Sequence, residues 1–235
     1  MIIGAAKLIR HDTCEKDFEA FSGLNTQLTF FPRGFYDVDH SNLNKIIDKV
    51  DVNPVSIHYP SFPGEDVKFV DNLKMLRDEY CLDLFVMHPK FDSFSDAMAY
   101  LRSKSEEISK LGVKLAYENM PGPKDSWVCD IFSLYFGFSF TSLTYDVTHL
   151  AERMDAVAEI DGLLSRTDVI HLSNVNYGDN KRHDHLRINE GARDLVGFCE
   201  YLKGEEYGGQ VILEYLPRNS NFIREDIKLV EDLVL

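Results

Sequence analysis

The feature that most constrains this chain is a regular alternation: eight short apolar, β-rich runs, each followed by a longer amphipathic stretch. Alternation of that kind implies βα units and a parallel sheet. The strand candidates are Ile2–Leu8, Thr26–Phe31, Val55–Pro60, Leu82–Pro89, Lys114–Asn119, Ser142–Val147, Asp168–Asn174 and Gln210–Pro217. Several are apolar nearly throughout, as strands covered on both faces should be. Helix candidates fall at Cys14–Phe21, Ser41–Val50, Glu65–Tyr80, Ser95–Leu111, Val128–Phe136, Ala151–Leu164, Gly191–Leu202 and Ser220–Leu235. The clearest is Ser95–Leu111, with Leu101, Ile108 and Leu111 on one face and Gly112 as its stop. Eight of each in strict order predict a (β/α)8 TIM barrel, a fold of ~250 residues whose compact members approach ~200. The 235 residues are read as one such domain spanning 1–235. An open doubly wound sheet is the competitor, but no G-x-G-x-x-G or phosphate loop supports it.

Composition narrows the class further. With 44% hydrophobic and 27% charged residues the chain reads as an ordinary globular protein, which excludes disorder and fibre. No window approaches the ~20 uninterrupted apolar residues of a membrane helix, and the opening MIIGAAKLIRHD is too short an apolar run for a signal peptide. Cys14, Cys81, Cys129 and Cys199 form no C-x-x-C pair and read as reduced and mostly buried. A cytoplasmic protein with no membrane partner is the expectation. The net charge of −14 disfavours nonspecific binding to polyanions such as DNA, although a local cationic cleft can sit on an acidic body.

Six consecutive strand candidates carry a metal-ligating type of side chain at or near the C-terminal end: His58, His88, Glu118, Asp146, His171 and Glu214. Neighbours are spaced by 30, 30, 28, 25 and 43 residues, one βα unit each, with a longer last interval. In a barrel such strand ends converge on one mouth, where active sites of this fold lie. The longer interval holds NKRHDHLRINEG, in which His183 and His185 alternate and can share a ligand; His149 follows Asp146 by three residues. A single histidine at a strand end is usually a hydrogen-bonded structural residue. Glu118 and Glu214 say more, because a carboxylate closing an apolar strand must be paired, neutralised or metal-bound. Imidazole and carboxylate ligands without thiolate suit zinc, manganese, cobalt or ferrous iron.

With ENMP at Glu118, YDVTHL at Asp146–His149, VIHLSN, HDHLRINEG and ILEY in place, the chain resembles the xylose isomerase-like barrels over nearly its whole length. That superfamily includes sugar isomerases and epimerases and abasic-site nucleases of the endonuclease IV type. The resemblance implies that one metal is held by Glu118, Asp146, His171 and Glu214. In the nuclease branch Glu118 would bridge to a second ion at His58 and His88, and a third would take His149, His183 and His185. The departure is His183, where that branch carries an aspartate, which changes the charge of the third site.

Two mechanisms follow. In a sugar or sugar-phosphate isomerase or epimerase, a divalent ion, zinc or manganese, holds the carbonyl and neighbouring hydroxyl, and Glu118 and Glu214 act as base and acid on an enediolate. Lys90, Lys181, Arg187 and Arg218 are candidates to contact a substrate phosphate, and Tyr59, Phe62 and Trp127 to wall the sugar; surface and core roles compete with each. In a multi-zinc phosphoesterase, two or three ions sharing Glu118 activate a water. The acidic charge and the lack of long basic or aromatic loops disfavour duplex DNA as its substrate. A barrel that binds metal without catalysis is the third reading, against which stand two glutamates at one mouth.

Overall fold

The computed structural model describes residues 1–31, 35–60, 68–89, 94–120, 137–150, 152, 154–178, 181–215 and 221–235. Ten strands are present among them: β1 (Ile2–Ile9), β2 (Asn25–Phe30), β3 (Asn53–His58), β4 (Leu84–Met87), β5 (Lys114–Glu118), β6 (Thr141–Asp146), β7 (Thr167–Leu172), β8 (Asn174–Gly178), β9 (Lys181–Leu186) and β10 (Gln210–Leu213). Eight of these pair in parallel in the circuit β1-β10-β7-β6-β5-β4-β3-β2 and close on β1, the expected single TIM barrel domain. The α-helices are α1 (His40–Val50), α2 (Phe69–Tyr80), α3 (Phe94–Leu111), α4 (Ala156–Ile160), α5 (Leu195–Gly204) and α6 (Ile223–Val234). None of them is long and apolar enough to cross a membrane.

Period-2 alternation divides the buried residues into two layers. Val86, Ala116, Val169 and Ile212 meet inside the barrel, while Leu28, Ile57, Phe85, Leu115, Leu143 and Ile170 belong to the core shared with the helices. The helices present apolar stripes such as Leu43, Ile46 and Ile47 of α1 or Ile227 and Val230 of α6. Asp39, Asp155 and Asp194 cap α1, α4 and α5 by accepting backbone N–H groups three residues on.

Several sequence expectations need correction. The segment expected as a helix at Cys14–Phe21 is a 3-10 helix over Glu15–Phe21, with the Asp17 carboxylate accepting the Cys14 N–H. The stretch from Ala151 begins its helix only after Asp155 has capped it and tightens to 3-10 over Asp161–Arg166. NKRHDHLRINEG, read as a loop, supplies β9, which pairs antiparallel with β8. Its residues have no apolar alternation to announce a strand; backbone pairing makes it. Among the described cysteines Cys14 and Cys81 are exposed and Cys199 is buried, because Cys14 precedes the 3-10 helix and Cys81 ends α2 in the left-handed region at φ 54°. Cys129 and the helix candidate Val128–Phe136 lie outside the described residues.

Candidate metal centre

The same alternation delivers the site. Interior-facing Val86, Ala116, Val169 and Ile212 each stand two residues before His88, Glu118, His171 and Glu214, so these four side chains project into the barrel one layer nearer the mouth. His58 and Asp146 close β3 and β6 at the same end.

The side chains converge on Glu118. Its Oε2 lies 3.0 Å from His58 Nε2, 3.5 Å from His88 Nε2 and 3.6 Å from His171 Nδ1, and its Oε1 lies 3.2 Å from His149 Nδ1. Glu214 Oε2 approaches His171 Nδ1 to 3.1 Å, and Asp146 Oδ2 approaches His149 Nε2 to 3.3 Å. Glu118, Asp146, His171 and Glu214 each offer one ligand atom within 4.8 Å of the others, and so do His58, His88 and Glu118.

The residues fit a cation. Asp146 Oδ1 accepts Thr148 N–H and Oγ–H, both at 2.7 Å, whereas Asp146 Oδ2 and His171 Nδ1 are buried and make only ion-pair approaches, to His149 and Glu214, with no hydrogen bond of good geometry among the described residues. Leaving such atoms unsatisfied costs about 1–3 kcal/mol each, and three carboxylates crowded out of water repel one another. A divalent ion answers both at once. Without one, protons do part of that work. Burial lowers the His171 pKa, but Glu214 and Glu118 hold it well above the usual imidazole range. Burial pushes the Glu118 carboxyl up, yet His171, His58 and His88 keep it well below the carboxylate range, and His171 brings Glu214 to about 2 against the same burial. Asp146 is pushed up, chiefly by burial.

The remaining expected residues fall apart from this cluster to different degrees. His149 joins it, donating Nδ1–H to the Asn119 carbonyl at 2.6 Å. His185 lies in the left-handed region at φ 55° and places Nδ1 3.1 Å from the Glu214 carbonyl, which anchors β9 to the end of β10. His183 is exposed opposite Asn176 and enters neither ligand group. Arg187 donates from Nε and Nη2 to Asp226 at 3.0 and 2.6 Å and stacks 4.1 Å over Phe222, so these donors bind α6. Tyr59 is buried in the core against Phe35 and Phe69. Lys90, Arg218, Phe62 and Trp127 lie outside the described residues, as does the Lys181 side chain.

Sequence reasoning missed the polar supports. Asn119 Oδ1 accepts Asp146 N–H at 2.5 Å and its Nδ2 donates to Asp146 O at 2.9 Å, zipping the ends of β5 and β6. Gln27 Oε1 takes His171 Nε2 at 3.0 Å. The available signal was a glutamine inside the run TQLTFF, since a polar side chain facing a barrel interior needs a partner.

A closed eightfold barrel with carboxylates and imidazoles gathered at the C-terminal mouth defines a TIM barrel with a candidate metal site. The chain belongs to the xylose isomerase-like TIM barrel family, whose profile matches residues 82–233. No curated protein matches the sequence. Similar solved structures include a D-tagatose 3-epimerase-like protein at 16% identity and TM-score 0.71, covering 100% of both chains. A xylose isomerase-like TIM barrel/4-hydroxyphenylpyruvate dioxygenase fusion protein shares 15% identity at TM-score 0.75 over 99% of this chain and 43% of its own. An AP endonuclease, family 2, from Brucella melitensis shares 13% at TM-score 0.68 over 94% and 95%. At these identities the likeness is one of fold.

Proposed function

We propose that the protein is a divalent-metal-dependent isomerase or epimerase of a sugar or sugar phosphate, with Glu118, Asp146, His171 and Glu214 holding the ion and Glu118 and Glu214 exchanging protons with substrate. The observation that carries this reading is the placement of two carboxylates on one buried imidazole nitrogen, Glu214 Oε2 at 3.1 Å and Glu118 Oε2 at 3.6 Å from His171 Nδ1. When bound, zinc or manganese supplies Lewis-acid polarisation of a carbonyl and its neighbouring hydroxyl, which lowers the energy of an enediolate. The chain moves the proton. One carboxylate takes it from the carbon beside the carbonyl, and the electron pair shifts onto the carbonyl oxygen. The other returns a proton to the opposite face for an epimer, or to the neighbouring carbon for an isomer. Both carboxyls lie below their ordinary range, so either can act as the accepting base, and the one that returns a proton must first take it up from solvent. Lys90, Arg187 and Arg218 are the candidates for a substrate phosphate, Arg187 while shared with Asp226.

The test is solvent exchange. Protein loaded with manganese, cobalt or zinc is incubated in D2O with aldoses, ketoses and their phosphates, and deuterium at the carbon beside the carbonyl is read by NMR. Exchange should fall about 10²–10⁴-fold in Glu118→Gln and in Glu214→Gln.

One observation favours a second reading, a multi-zinc phosphoesterase: His58 and His88 flank the same Glu118 oxygen and form a second ligand group. Silence on every sugar together with metal-dependent cleavage of an abasic-site oligonucleotide would transfer the assignment to it. Up to three ions per chain belong to that reading, and one to the isomerase.

A further inference from the structure

Gln27 sits on β2 with no exposure, directly across the ladder from Ser56 of β3, which is equally buried. The pairing depends on a register shift: Thr26 faces Pro54, the next residue Gln27 faces Ser56, and Val55 is skipped. That irregularity sets two polar side chains side by side in a barrel whose neighbouring interior positions are Val86, Ala116, Val169 and Ile212. Gln27 Nε2 donates to Ser56 Oγ at 3.1 Å, and its Oε1 faces His171 Nε2 at 3.0 Å across the lumen. An amide oxygen only accepts, so the proton on that bond belongs to His171 Nε2. The other ring nitrogen, Nδ1, is the one that faces Glu214 and Glu118.

We propose that Gln27 is a positioning residue for the metal centre: anchored by Ser56, it keeps the proton of His171 on Nε2 and presents the Nδ1 lone pair to the ion. The inference rests on reading Glu118, Asp146, His171 and Glu214 as that centre. A neutral amide suits the position. It accepts the same Nε2–H whether Nδ1 carries a proton or a metal ion, so loading the site requires no rotation of the ring. It also adds no further negative charge beside three buried carboxylates. Ligating histidines in general depend on the partner of their second nitrogen for tautomer and ring orientation.

The primary measurement needs no substitution. In zinc-loaded protein with 15N-labelled histidine, His171 should show Nδ1 coordinated and a slowly exchanging proton on Nε2; coordination through Nε2 with a proton on Nδ1 overturns the proposal. The zinc dissociation constant, read by chelator competition, should rise about 10–100-fold in Gln27→Met, which keeps the length and removes the acceptor. Equal affinity in wild type and Gln27→Met overturns this proposal alone. A wild-type protein that takes up no divalent ion overturns the centre and this inference together.

Discussion

At the scale of single residues, burial without a matched partner separates a working side chain from a structural one. Asp146 and Asp226 are both buried carboxylates. Asp226 is satisfied by Arg187 and by the Tyr215 hydroxyl at 2.7 Å, whereas one oxygen of Asp146 makes no hydrogen bond among the described residues and has only the His149 imidazole beside it at 3.3 Å. The first braces the residue just after β9 to α6; the second belongs to a candidate cation site. His40 illustrates the structural kind for imidazoles. It packs against Phe30, Phe35 and Tyr80, and burial holds its pKa below the ordinary 6.5 against the charges of Glu79 and Asp39. As pH falls, the unfolded chain therefore takes up this proton before the folded one. The contribution is full above pH 6.5 and is lost as pH drops below it. Urea midpoints at pH 7.5 and 5.5 should fall less steeply for His40→Asn than for wild type; parallel slopes would place the acid sensitivity elsewhere.

At the scale of elements, close packing of β1 on β2 leaves no room for a side chain at Gly4. A Cβ there would lie 2.5 Å from the Asn25 carbonyl oxygen and 3.0 Å from its carbon, both backbone atoms that cannot swing aside. Gly4→Ala should therefore displace one strand and cost about 1–3 kcal/mol, read from the urea midpoint by circular dichroism. A midpoint equal to wild type would show that the barrel wall yields there. The β8–β9 hairpin is held from outside its own ladder. Tyr177 Oη donates to the Leu150 carbonyl, Arg182 reaches the Thr148 carbonyl, and His185 reaches Glu214. Its anchors thus end on the segments that carry Asp146, His149 and Glu214.

At the scale of the molecule, acidic charge is concentrated where a candidate cation site lies. The chain carries −14 overall and gathers Glu118, Asp146 and Glu214 at one mouth. Binding to the folded state alone stabilises it by mass action, about 2.7 kcal/mol at a hundredfold excess over Kd, which in a chain of this size is about 5–10 °C in Tm. A thermal melt in chelator against one in excess zinc or manganese should show that rise in wild type and lose it in Glu118→Gln. Equal melts for wild type in both buffers would remove the metal centre.

Whatever follows from local periodicity was legible before folding. Strands of alternating or wholly apolar residues between amphipathic helices dictate a barrel. Once they do, the last inward position on or just after each strand must point into the mouth, so His58, His88, Glu118, Asp146, His171 and Glu214 could be named in advance. Arg187 shows the limit. It was a candidate for a substrate phosphate by its place in the motif; its partner Asp226 lies 39 residues away on α6, and only the folded chain reveals that contact. Gln27 and His171 stand 144 residues apart. No window of sequence contains both, and a bulge of one residue decides whether Gln27 meets Ser56 at all. Periodicity sets which face a side chain takes; what it touches across the lumen is fixed by register and closure, and those exist only in the tertiary structure.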